Sequence, residues 1–211
     1  MKKQYFALKS SLPMLRFDEL PPITSARFLE MCEAFVAPKL LHFLEALTLA
    51  PKEIPQVEKN FKEAAIPTGS SWKSDFIAME KYVQWEITLR NTLAALRAGK
   101  QAKDPAQFQI RDTALDSTAV AAAQNIFGMT ADPLEKERAL DLARWNFLDG
   151  MEWNHAFNFE ALCIYRCKLM ILEKWAARKK GDPVKNLDSA AEKSENALKD
   201  QNNNYNIQNQ E

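Results

Sequence analysis

The nearest approach to a metal-binding pattern is Glu152-Trp153-Asn154-His155, the Glu-x-x-His spacing with which carboxylate-bridged bundles hold iron or manganese. Such sites need the motif twice, together with two further carboxylates. Here it occurs once, and His42 with Glu45 has the reversed order and does not supply the second copy. Two histidines in all are a thin supply for a catalytic base or a zinc site. The chain also lacks a Gly-rich phosphate loop, a Cys-x-x-Cys pair, a His-Glu-x-x-His and a Gly-x-Ser-x-Gly. A bundle enzyme built on Glu152 and His155 would carry bound metal; the plainer reading is a partly exposed histidine near a helix bend. No catalytic, cofactor-binding or metal-binding residue is expected.

The placement of charge says more. Residues 72–97 read as one amphipathic helix, with Phe76, Val83, Ile87 and Ala94 aligned at about 100° per residue. Met79, Tyr82, Trp85, Leu89, Leu93 and Leu96 flank them, and Lys81, Gln84, Thr88 and Asn91 lie on the expected wet side. Yet Glu86, Arg90 and Arg97 fall inside the apolar arc, four and seven residues apart. On a later helix Arg166 and Glu173 share a stripe, which makes Arg166 a candidate partner for Glu86. Stranding one member of a buried ion pair costs roughly 3–5 kcal/mol, so these charges must be paired and hydrogen-bonded. Either the stripe closes on itself inside a bundle or it meets another chain. The plainer alternative is an intrahelical Glu86–Arg90 pair at the core margin, which contributes little when exposed.

The elements that would position these residues are helices throughout. Only five glycines occur against ten prolines, and apolar residues recur at helical rather than alternating spacing, so the expected class is all-α, a bundle of antiparallel helices. An arm with a short helix near residues 5–10 is broken at Pro13 and at Pro21-Pro22, and its apolar residues need a place to dock. Thr24 or Ser25 can cap a helix to about Phe35; Pro38 opens a second one up to Pro51, completing a hairpin. A short helix is expected over 55–65, and Gly99 is placed to end the central helix. Residues 100–115 read as a connector. Helices then follow over 117–127 and from Asp132-Pro133 onward, the latter with a bend at Gly150. Residues 157–179 are apolar almost all round, as befits a helix in the middle of a bundle. The expected organisation is a helical domain over 1–180 and a polar, low-complexity, mobile tail over 181–211.

Lys plus Arg equals Asp plus Glu at 28 each, so no net field steers the chain to nucleic acid or an anionic membrane, and partners must be found by shape. The 46% hydrophobic content suffices for a real core. Cys32, Cys163 and Cys167 are odd in number and sit on apolar-patterned segments, which reads as reduced cytosolic thiols. The apolar run at the N-terminus is too short for a signal segment, and no run approaches the roughly 18 residues of a membrane span.

Several pieces resemble a known family. Ser11-Leu12-Pro13-Met14-Leu15 with Phe17-Asp18-Glu19, Pro21-Pro22 and a helix reaching Cys32 is similar to the small bacterial family encoded with the subunits of V/A-type rotary ATPases. Its members look like stand-ins for the C-type connector of those ATPases, which in eukaryotes is the d-type. Trp85-Glu86, Leu89-Arg90-Asn91, Arg144-Trp145-Asn146 and Leu172-Glu173-Lys174-Trp175 are similar as well, and the resemblance covers about residues 5–178. It implies an all-α, non-catalytic connector between central stalk and membrane ring, cytoplasmic and peripheral to the membrane through the complex. It would support ATP-driven proton or sodium transport, or ATP synthesis, without a cofactor. Its partners would be central-stalk subunits and the ring. The C-type connector proper has three related helical units, whereas this chain has room for about two, so no shaft- or ring-contacting residue is carried over. The alternative is a helical assembly factor or adaptor that binds the ATPase only transiently.

Overall fold

The computed structural model describes residues 5–47, 49, 77–109 and 115–180. The helix expected over 55–65, the start of the central helix before residue 77 and the tail over 181–211 lie outside the described residues. Among those described every regular element is helical, and none of the helices is long and apolar enough to cross a membrane.

The helices begin where local chemistry satisfies their first N–H groups. Helix α1 (Phe6–Ser11) is short, and its entry is fixed by Tyr5 N–H donating to Phe157 O at 2.6 Å. In α2 (Ser25–Glu33) the Thr24 hydroxyl accepts from Arg27 N–H at 3.1 Å. Helix α3 (Pro38–Ala46) opens on its proline and packs against α2 as the expected hairpin, but it ends before Pro51. Helix α4 (Ile77–Lys100) is the central element and is followed by a single 3-10 turn, Pro105–Phe108, in the connector. Asp116 caps α5 (Ser117–Gly128) by accepting from Thr118 and Ala119 N–H at 2.9 and 3.1 Å. Asp132 does the same for α6 (Pro133–Glu152), taking Glu135 N–H at 2.8 Å, and α6 continues through Gly150 to Glu152. Asn158 caps α7 (Phe159–Lys180) through Ala161 N–H at 3.1 Å.

The chain divides into two compact units, Met1–Glu173 and Lys174–Glu211. In the second unit the described residues are the last turns of α7, where Lys174 and Arg178 stand over the Trp175 ring at 5.7 and 5.0 Å. In the first unit α7 is the spine: residues 159–169 are all buried. Phe43 and Tyr5 pack on Phe159, with ring centroids 5.9 and 6.4 Å away, and Phe28 stacks on Tyr165 at 5.3 Å. The proline-bounded arm docks on α6 and α7. Tyr165 Oη donates to Pro13 O at 3.0 Å, Phe17 meets the Trp145 ring at 5.6 Å, and Arg138 grips Asp18 through Nε at 3.0 Å. Cys32, Cys163 and Cys167 are free thiols in this core; burial pushes Cys32 and Cys167 up to about 12 and raises Cys163 as well.

Two expectations for α4 change. Its wet side is not wet around Thr88, which is buried and returns its hydroxyl to Gln84 O at 3.0 Å, because residues 85–89 are covered on every side. Nor does Gly99 end the helix. The left-handed position falls to Ala102, with φ of 51°, while Lys103 N–H reaches Ala98 O at 3.0 Å and Ala102 N–H reaches Gly99 O at 3.3 Å. These are the two bonds of a Schellman ending, with alanine where glycine is usual. A Cβ added at Gly99 meets nothing within 4 Å, so glycine is not required there. Ala102→Gly is expected to stabilise the protein by about 0.5–1 kcal/mol, and Gly99→Ala by up to about 1 kcal/mol, both read from denaturant unfolding.

Candidate functional site

Where α4 crosses α6, four ionic side chains close into one cluster. Arg144 donates from Nε to Glu86 Oε2 at 2.9 Å and from Nη2 to Glu86 Oε1 at 2.6 Å, a two-pronged match of guanidinium to carboxylate. Its third nitrogen, Nη1, donates to Asp141 Oδ1 at 2.8 Å. Arg90 Nε lies 3.3 Å from Glu86 Oε1. The side chains of Arg144, Glu86 and Asp141 are only 8, 9 and 3% exposed. Two carboxylates and two guanidiniums cancel, so the cluster is neutral as a whole.

Electrostatics follow the geometry. Burial alone would disfavour the charge on Arg144, but the Glu86 carboxylate and its hydrogen bonds outweigh that and raise the guanidinium above its ordinary range. Arg90 is lowered by burial, with Glu86 opposing. Burial and then the Glu86 charge push Tyr82 well up, so its phenol stays protonated.

Arg166 does not join Glu86. It donates through Nη1 to the Ser25 hydroxyl and lies 4.0 Å from Glu173. Glu173 in turn receives Ser25 N–H at 2.6 Å and the Ser25 hydroxyl, so a carboxylate from α7 seals the first turn of α2, where the helix dipole favours an anion. Arg166 Nε is buried and meets no hydrogen-bond partner among the described residues. Arg97 is exposed, about two turns along α4 from Arg90.

Sequence reading missed Arg144 and Asp141 as partners. The signal was present in α6, where Asp141, Arg144, Trp145 and Leu148 share the i, i+3, i+4, i+7 face that is buried. Also missed was Lys168, whose Nζ is 2.5 Å from Asp149 and 3.2 Å from Glu152 and stands over the Trp145 ring at 5.1 Å.

The Glu152–His155 pair separates. Helix α6 ends at Glu152, which turns to Lys168 and Lys9, at 3.2 and 3.9 Å. His155 Nδ1 instead lies 2.7 Å from Glu160 Oε2 and 2.9 Å from Asn158 Nδ2. Glu160 is buried, and its other oxygen accepts Ala78 N–H at 2.5 Å, tying α7 to the start of described α4. His42 lies 3.6 Å from Glu45 on the exposed side of α3. Among the described residues no group of three or more His, Cys, Asp or Glu could hold a metal ion.

His155 also lines an open groove of about 600 Å³ between α4, α5 and α6. Lys81 and Trp85 stand on its α4 wall, Thr118 and Ala122 on α5, and Ala143, Asn146, Phe147, Gly150 and Met151 on α6.

The buried cluster and the exposed arginine make a graded series. Arg144→Ala removes the two-pronged bond to Glu86, leaving it to Arg90, together with the bond to Asp141, and is expected to cost about 3–5 kcal/mol. Arg90→Ala leaves Glu86 held by Arg144 and should cost about 1 kcal/mol. Arg97→Ala should stay within about 0.5 kcal/mol of the parent in the same denaturant titration.

No curated protein and no solved structure matches this chain. Residues 37–187 match a family described as protein of unknown function (DUF2764), which covers well over half of the sequence. The chain belongs to that family.

Proposed function

We propose that the protein is a non-catalytic component of a V/A-type rotary ATPase, a C/d-like connector between central stalk and membrane ring, held at the cytoplasmic face through the complex. The observation that carries this reading is where the ionic side chains are used. Glu86, Arg144, Glu160, Arg166 and Lys168 are all buried, and each joins one helix to another, while buried Asp141 holds Arg144 within α6. A body cross-braced in this way suits a part that transmits force between partners. The sequence resemblance over the arm and the central helices supports the same reading. So does the surface: Trp153 is 91% exposed and Met14 77% exposed, and large apolar side chains of this kind anchor protein interfaces.

The test is a gentle pull-down of the tagged full chain from its own membranes, with quantitative mass spectrometry before and after a salt wash. Catalytic, stalk and ring subunits are expected near equal stoichiometry after the wash. Their loss from the mature complex would make the protein a transient assembly factor, and their absence throughout would overturn the reading.

A further inference from the structure

We propose that the groove between α4, α5 and α6 receives a short amphipathic helix of a protein partner, with an acidic side chain of that helix set against Lys81. The inference deepens the connector reading and rests on it for the partner being a protein.

Shape carries the first part. The α6 wall is built from Ala143, Phe147, Gly150 and Met151, spaced by three and four, so the groove follows one face of α6 for about 12 Å, roughly two helical turns. A channel along a helix, with small residues that allow close backbone approach, fits another helix laid into it. The floor is apolar and already satisfied: Trp85 stacks on Phe147 at 4.8 Å, and the Trp85 indole N–H donates to Thr118 Oγ1 at 3.0 Å. An apolar side chain resting there buries no orphaned donor.

Charge supplies the second part. None of the lining residues is acidic; the ionisable ones are Lys81, which is exposed, and His155. Both belong to the same end of the groove. The Glu160 carboxylate joins His155 to Ala78, and Lys81 lies one turn beyond Ala78 on α4. Both Glu160 oxygens are taken, by Ala78 N–H and by His155, so Glu160 does not offer an anion to the groove. His155 is already engaged through Nδ1 with Glu160, so the cation that the groove presents is Lys81. A carboxylate is the complement of that exposed ammonium.

Photo-cross-linking in host cells tests this on the full chain. Benzoylphenylalanine replaces Asn146, an exposed residue of the α6 wall, or Arg27, an exposed residue of α2 outside the groove. The Asn146 position is expected to cross-link to one peptide with apolar residues three and four apart and an Asp or Glu among them, and the Arg27 position is not. Lys81→Glu should lower that yield about tenfold while leaving the melting temperature unchanged. No cross-link to another protein, a cross-link within the chain itself, a basic target segment, or a yield unmoved by Lys81→Glu would each overturn the inference. If the target fits but lies outside the ATPase, the groove assignment stands and the connector reading falls. If ATPase subunits co-purify while the Asn146 position stays unlinked, the reverse holds.

Discussion

Glu86 sits in the core of a helical body, and an isolated carboxylate there would be driven to take up a proton or to open the structure. Arg144 meets it with two nitrogens and gives its third to Asp141, so that this α4 carboxylate fixes both the distance and the rotation of α6. The rest of the first unit depends on that crossing. Helix α6 carries the docking sites for the arm, and its far end leads into the connection that ties Glu160 to the start of described α4.

Beyond the crossing, the same device recurs with different partners. Glu173 seals α2 onto α7, Lys168 joins α7 to the last turn of α6, and Glu160 joins α7 to α4. Apolar packing along α7 supplies the bulk of the burial, but it is non-directional and would tolerate helices that slide or rotate. Buried ionic contacts between helices remove that freedom, because any slip leaves a charge without its partner. Such contacts suit the connector role that we propose, in which a part keeps its shape while its partners exert force on it.

Much of this was legible in the sequence where a local signal existed. Thr24, Pro38 and Asp132-Pro133 marked helix starts because capping is a matter of a few neighbouring residues. The run 157–179 announced a buried helix by its lack of a polar face. Glu86 and Arg90 stood out by their place on the apolar arc. The wheel could not say which helix supplies the opposing charge, since that is set by how α4, α6 and α7 cross. Arg166 was accordingly matched to Glu86, while the actual partner, Arg144, lay on a helix of mixed pattern. The turn after Lys100 was misplaced for a related reason: glycine is the usual left-handed residue, but here Ala102 is held there by the two hydrogen bonds that close the helix.

The account turns on Glu86 and Arg144 acting as one unit, and a double-mutant cycle over Glu86→Gln and Arg144→Met measures that directly. Denaturant unfolding of the four proteins should give a coupling free energy of about 2 kcal/mol or more, because removing either partner takes away the two-pronged buried bond and leaves Glu86 to Arg90 or Arg144 to Asp141. A coupling below about 0.5 kcal/mol, the scale of an exposed pair, would contradict it and return the pair to the core margin.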